Sequence, residues 1–369
     1  MRVALLVTHL LGTGHLKRAS LLADGFVRAG HEAIVLSGGF PAPNASPKQA
    51  NLVQLSPIRS DASFSKLYDE HDNETSTALF AQRDTEIAEA LAAFAPDMLI
   101  TELFPFGRRK LAREFETAIE AAGEALIYCS VRDILQYPRK EGRAKEAEAR
   151  FARLYRGAFV HGDAALVPLE DSWPLPEDLK PKVQYTGYIT DETHNATTSS
   201  AGTGEIIVAA GGGSVGDGLF QAAADAGDET WRLLVGGHDR DDRIGQLTAR
   251  GSRTTIEPTR LDFKALLANA DLAILQCGYN TAMDVIQTGV RALFVPFEGD
   301  GETEQITRAR AFAERFGSGL IRERDLTQRR LAEEVALLRA RPKSEYADIG
   351  CDGITRTVAL AEIAWRDQS

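Results

Sequence analysis

Cysteine is scarce in this 369-residue chain, and the three present, Cys129, Cys277 and Cys351, stand far apart with no CxxC pair. That excludes a disulfide framework and a cysteine zinc site, and it points to a reducing, cytoplasmic compartment. Positive charge is also in deficit, with 42 Lys and Arg against 53 Asp and Glu and a formal net charge of -11. Nonspecific nucleic-acid binding is thereby disfavoured, although a local basic patch for another ligand is not. Long apolar runs are missing too. The run at residues 3–7 breaks at His9 and leads straight into a glycine turn, so it reads as a core strand and not a signal peptide. No stretch approaches the roughly 20 residues of a membrane-spanning helix, and peripheral membrane contact stays open without any feature that indicates it. Asp239, Asp241 and Asp242 cluster in a loop without the strand context of a DxD metal site.

What the chain does have is alternation. Strand-like runs at residues 3–7, 33–37, 98–101, 125–130, 165–168, 182–189, 206–210, 232–235, 271–275 and 292–296 are separated by helical patterns. Parallel sheets covered by helices on both faces follow, an α/β fold. A hydrophobic content of 44% over 369 residues suits two cores. The polar stretch at 190–204 separates two series of strands, predicting one domain over residues 1–188 and a second over 189–352. In residues 353–369, Ile354, Val358, Ala361 and Trp365 form a helical stripe.

Three turns carry candidate chemistry. Residues 271–275 (DLAIL) read as a strand and 276–281 (QCGYNT) as a polar turn, followed by a helix that Asn280 or Thr281 is placed to cap. Free backbone N–H groups and the positive helix end meet at such a turn, the arrangement that binds a diphosphate. Near the start of the chain, residues 8–15 (THLLGTGH) lead into a helix with Leu16, Ala19, Leu22, Ala23 and Phe26 on one face. His15 falls at its start, where the dipole disfavours imidazolium and keeps the ring neutral, as a general base requires. It is a candidate base, a candidate phosphate ligand, or a residue that only shapes the turn. Glu102, after the strand at 98–101, is a rival base or a solvated loop carboxylate. The third turn, GGGS at 211–214, offers N–H groups and the Ser214 hydroxyl to a phosphate. Arg108, Arg109 and Arg132 follow strands of the first half and present planar forks to an acidic or phosphorylated acceptor, unless they merely face solvent.

Together these stretches resemble the two-domain GT-B glycosyltransferases, and within them the MurG-like group that uses UDP-sugars. GTGH at 12–15 is similar to that group's N-terminal glycine-rich loop and GGGS at 211–214 to its second. Residues 278–310 resemble its donor-site helix, its VPF strand (Val295, Pro296, Phe297) and the Glu304-Gln305 pair that follows. GYNT at 278–281 looks like a bacterial subset described as predicted glycosyltransferases. The resemblance implies two Rossmann-like domains facing across a cleft, with the last helix crossing back onto the first domain. It also implies a nucleotide-sugar donor, UDP-linked, held by Gly14, Gly213, Ser214, Gly278, Asn280 and Thr281, with Arg260 in the region that meets the base through its backbone. Asp284 stands where the group has a glutamate on the ribose hydroxyls, one methylene shorter here, and Glu304 and Gln305 project from an exposed first helical turn toward the sugar. No cofactor or metal is implied. The implied reaction is inverting transfer to an acceptor hydroxyl, with His15 or Glu102 as base and the acceptor near Arg108, Arg109 and Arg132.

Other functions stay open. GTGHLKR at 12–18 is also similar to hydrolases of UDP-linked amino sugars in nonulosonate biosynthesis, where water replaces the acceptor. A hydrolysing nucleotide-sugar epimerase is a more distant possibility. A noncatalytic nucleotide-sugar binding protein would keep the second-half turns and have no use for His15.

Overall fold

The computed structural model describes residues 1–61, 65–138, 140–190, 200–211, 215–228, 230–251, 253–343, 345–346 and 348–368. The chain divides into two compact units, Met1–Thr190 with Gly350–Ser369, and Asp191–Ile349, each built on its own sheet.

The strands of the first unit are β1 (Arg2–Val7), β2 (Glu32–Ser37), β3 (Asn51–Gln54), the hairpin pair β4 (Arg59–Ser60) and β5 (Leu67–Tyr68), β6 (Met98–Glu102), β7 (Leu126–Arg132), β8 (Gly157–His161) and β9 (Val183–Tyr185). Helices α1 (Gly14–Arg28), α2 (Thr77–Phe94), α3 (Ala112–Ala121) and α4 (Glu141–Leu154) connect them. The main sheet is parallel, in the order β3-β2-β1-β6-β7-β8-β9. Val3 to Val7 are buried on both faces, which is why β1 reads as a continuous apolar run and not an alternating one. Strand order turns back between β1 and β6, so the loops after these two strands diverge and open a crevice at their carboxyl ends.

The second unit repeats the plan. It contains β10 (Ile206–Ala209), α5 (Asp217–Ala226), β11 (Trp231–Val235), α6 (Arg240–Ala249), β12 (Thr255–Pro258), α7 (Phe263–Asn269), β13 (Leu272–Leu275), α8 (Tyr279–Thr288), β14 (Ala292–Phe294), α9 (Glu304–Phe316), β15 (Gly319–Leu320) and α10 (Gln328–Ala340). Its sheet runs β12-β11-β10-β13-β14-β15, the doubly wound order, with the turning point between β10 and β13. Gly216 ends the loop after β10 at φ 87°, and a Cβ there would come within 2.3 Å of the Ala210 Cβ, so only glycine closes this turn.

The last helix, α11 (Gly353–Arg366), returns to the first unit, where Ile354, Val358 and Ala361 join the apolar cluster of Val3, Leu22 and Phe26. Gly25 of α1 makes the approach possible, since a Cβ there would lie 2.2 Å from Ile354 Cγ2. His31 Nε2 and Glu362 Oε1, 2.9 Å apart, join the same two segments by a polar contact. No helix among the described residues is long and apolar enough to cross a membrane.

The strand expected at 165–168 is instead a turn. The Asp163 carboxylate accepts from the Ala165 N–H at 2.8 Å, and the Asp163 carbonyl accepts from Leu166 and Val167 at 3.0 Å each. Leu166 and Val167 are buried all the same, so apolar residues in a turn carry a strand-like pattern. Strands β3 and β12 are edge strands with mostly solvent-facing residues, and their weak apolar signal follows from that position.

Candidate active site

In the first unit the site grows from the crevice between β1 and β6. Helix α1 begins at Gly14 with no side chain capping it, and His15 occupies its first turn with 15% of its side chain exposed. Glu102 ends β6 and is buried. Its Oε1 lies 2.8 Å from His15 Nδ1, a contact between residues 87 apart in sequence that the diverging loops bring about. Arg18, one turn along α1 and also buried, reaches the same oxygen. Ser130 Oγ donates to Oε2 at 2.6 Å. Burial alone would raise the Glu102 pKa. The Arg18 charge and the bonds from His15 and Ser130 outweigh it and hold the carboxyl well below its ordinary range.

An ionised carboxylate only accepts hydrogen bonds, so His15 Nδ1 carries the ring proton and Nε2 is left as the acceptor. Burial first, then the charge of Arg108 with a further contribution from Arg132, lowers the His15 pKa to about 3 against the opposing pull of Glu102. The ring is therefore neutral at pH 7. Arg108 itself is lowered to about 10, by burial and then by Arg132 and Arg18, against the attraction of Glu102. Its backbone is left-handed, with φ 57°, and its buried Nε has no partner among the described residues. Arg18 thus pairs with the Glu102 carboxylate while Arg108 and Arg132 act on the His15 ring beside it, a local surplus of positive charge in an acidic protein. Arg109 differs: it is exposed, in the short turn Arg109–Leu111.

Ser130 leads to a second histidine. His161, the fully buried last residue of β8, places Nε2 3.0 Å from Ser130 Oγ and Nδ1 2.9 Å from Thr186 Oγ1. Burial, with Arg18 adding to it, lowers its pKa to about 3 as well. Each of these histidines is protonated near pH 6.5 in the unfolded chain but only near 3 in the fold, so the unfolded state binds more protons between those values. Stability should therefore fall as pH drops from 6.5 toward 3. Melting curves across that range should show it, with a shallower slope in His161→Gln; equal slopes in the two proteins would contradict the assignment.

In the second unit, helix α8 begins at Tyr279 with Gly278 as its N-cap and no side-chain cap. The expectation that Asn280 or Thr281 caps the helix is corrected: the extended Gly278 starts the helix earlier and places both residues inside the first turn. A Cβ on Gly278 would meet nothing within 4 Å, and Asn280 is exposed, so the first-turn N–H groups lie beside open space. Thr281 and Asp284 are half-buried on the same helix. Gly213 and Ser214 lie outside the described residues.

Arg308 of α9 is fully buried, and its Nη1 donates to the Cys277 carbonyl at 2.5 Å, while its Nη2 donates to Glu304 Oε1 at 2.8 Å. Its guanidinium also stands 5.9 Å from the centre of the Tyr279 ring. These contacts tie the start of α9 to the turn that opens α8. They also correct the expected exposure of Glu304, which is buried because its carboxylate turns inward to Arg308. Gln305 is half-buried, with Oε1 accepting from the Phe297 N–H at 3.2 Å. Glu302 Oε1 accepts from the N–H groups of Glu304 and Gln305, at 2.5 and 3.3 Å, and caps the helix. Arg260 grips Asp262 with two parallel bonds of 2.8 and 2.7 Å, so its guanidinium is occupied while its backbone follows β12. Among the described residues no group of three or more His, Cys, Asp or Glu is placed to hold a metal ion.

Residues 234–361 match the glycosyltransferase family 28 C-terminal domain. A UDP-N-acetylglucosamine-N-acetylmuramyl-(pentapeptide) pyrophosphoryl-undecaprenol N-acetylglucosamine transferase of Polaromonas sp. (strain JS666) is 30% identical over 128 residues, which span 33% of this chain and 33% of that protein. MurG of Acinetobacter baumannii aligns over 98% of this chain and 95% of its own, with a TM-score of 0.59 at 14% identity. A UDP-glucosyltransferase from Polygonum tinctorium aligns over 99% and 93%, with a TM-score of 0.62 at 16% identity. This chain has the GT-B fold and is related to the MurG-like glycosyltransferases. In this GT-B chain the family match covers α8, α9 and Arg308, whereas His15, Glu102, Ser130 and His161 lie outside it.

Sequence reasoning missed Arg18, Ser130, His161 and Arg308. Three of them carried a readable signal: Ser130 and His161 stand at or near the carboxyl ends of β7 and β8, where doubly wound folds place function. Arg308 stands four residues after Glu304, the spacing of an acid–base pair on one helix face.

Proposed function

We propose that this protein is a glycosyltransferase that moves a sugar from a UDP-linked donor to an acceptor hydroxyl, with inversion and without a metal ion. The observation that carries the proposal is the His15–Glu102 pair, a neutral imidazole whose Nδ1–H is held by a buried carboxylate. Such a ring takes the hydroxyl proton at Nε2 as the oxygen attacks the anomeric carbon and the bond from that carbon to the UDP oxygen breaks, UDP leaving with the electron pair, and Glu102 stabilises the imidazolium that forms. Glu102 is then the orienting partner and His15 the base. Arg108 and Arg132, with Arg109 at the edge, favour an acceptor that carries negative charge.

The second unit takes the donor. The first-turn N–H groups of α8 at Gly278, Asn280 and Thr281 receive the diphosphate. Asp284 meets the ribose, the backbone at Arg260 meets the base, and Gln305, next to the inward-turned Glu304, faces the sugar. The UDP assignment is supported by the Polaromonas relative, whose own name specifies a UDP-linked donor and whose similarity covers part of the chain.

UDP or a UDP-sugar should raise the melting temperature with no divalent cation added. At about 100 times the dissociation constant the stabilisation is about 2.7 kcal/mol, and Asp284→Ala should weaken it. Stabilisation by purine nucleotides only, or its loss on adding EDTA, would overturn the donor assignment.

A further inference from the structure

Glu102, Ser130, His161 and Thr186 come from four adjacent parts of the first sheet: the ends of β6, β7 and β8, and the residue just past β9. Glu102 and Ser130 are register partners, and each neighbouring pair in the series is in hydrogen-bond contact, at 2.6, 3.0 and 2.9 Å. All four residues are buried. From this geometry we infer that Ser130 and His161 are positioning residues: a one-directional hydrogen-bond row holds Glu102, and through it His15, in the working orientation. The inference rests on the reading of His15 as the base.

The direction of the row follows from counting protons. Ionised Glu102 can only accept, so Ser130 commits its single hydrogen to Oε2. Ser130 Oγ then accepts from His161 Nε2–H. A neutral imidazole has one N–H, so His161 Nδ1 accepts from the Thr186 hydroxyl. This assignment gives each of the four buried side chains a partner, and losing the Ser130 link takes a donor from Glu102 Oε2. The reverse row has Thr186 donating to the Gly187 carbonyl, 2.9 Å away, His161 Nδ1–H donating to Thr186 and Ser130 donating to His161 Nε2. It also keeps His161 neutral, but it takes the Ser130 hydrogen away from ionised Glu102 Oε2, 2.6 Å from Ser130 Oγ.

The row also explains why Glu102 needs more than Arg18. Arg18 and His15 both reach Oε1, and Ser130 engages Oε2, so the hydroxyl fixes the carboxylate plane that aims Oε1 at the imidazole. Without it the carboxylate is free to rotate toward Arg18, and the His15 ring loses the bond that selects its tautomer.

The test is nitrogen NMR of the full chain labelled with 15N-histidine at neutral pH, with His15 signals identified by their loss in His15→Gln. Wild type should show His15 protonated at Nδ1 and His161 at Nε2. Ser130→Ala and His161→Leu should turn His15 into a mixture of tautomers. With a UDP-sugar and acceptor they should also lower kcat about tenfold, leaving the donor KM within about twofold of wild type. Ser130→Thr and His161→Gln keep the needed donors and should restore both readouts. A wild-type His161 protonated at Nδ1, or a His15 tautomer unchanged in Ser130→Ala, overturns the inference. If wild type turns over no nucleotide sugar, the proposed function fails and the NMR signals alone decide the row.

Discussion

His15→Ala is expected to lower turnover of a UDP-sugar by about 10² to 10⁴-fold while leaving UDP affinity within about twofold of wild type. The split follows from where the side chain stands. His15 belongs to the first unit and is held by Glu102, whereas the turn proposed to hold the diphosphate opens α8 of the second. Glu102→Gln should resemble His15→Ala more than its small change in shape suggests, because a glutamine amide can donate to Nδ1 and stabilise the wrong tautomer. Single-turnover rates and calorimetric UDP binding on the same preparations measure the two quantities separately. Equal and mild losses in both would return His15 to the role of a turn residue.

Arg308→Ala should strongly destabilise the second unit, costing about 3–5 kcal/mol, the range for stripping one partner from a buried ion pair. The guanidinium is fully buried and serves both the Glu304 carboxylate and the Cys277 carbonyl. Its loss takes the guanidinium away from the acid and releases the turn whose N–H groups are proposed to hold the diphosphate, so UDP binding should weaken as well. Denaturant unfolding followed by tryptophan fluorescence, with Trp231 as the reporter within the second unit, gives the first number. The double change Arg308→Leu with Glu304→Leu removes both charges and should recover much of the stability. It should not recover turnover if Glu304 also serves the donor sugar. Recovery of both would make the pair purely structural.

The fold was legible in the sequence because parallel strands are buried on both faces. Runs such as residues 3–7 and 271–275 announce themselves, and the turns after them carry glycine and polar residues. Edge strands β3 and β12 lack that signal, and the buried turn at 165–168 imitates it. Individual candidates such as His15 and Glu102 could be picked from their places after strands. Their contact could not, since it depends on strand order bringing β1 beside β6. Arg18 was hidden for a different reason: a charged residue on an amphipathic helix reads as solvated unless its buried partner is known. The same blindness applied to Glu304, whose inward turn depends on Arg308.

The central claim, sugar transfer from a nucleotide donor, is tested most directly by following nucleotide and sugar release from UDP-sugars over time, with and without candidate acceptors. A transferase excludes water until an acceptor hydroxyl occupies its place, whereas a hydrolase holds a water in line beside the base. The account predicts slow UDP release from donor alone and strong acceleration when a suitable acceptor is added. Rapid, acceptor-independent release of free sugar would contradict it and make the protein a nucleotide-sugar hydrolase.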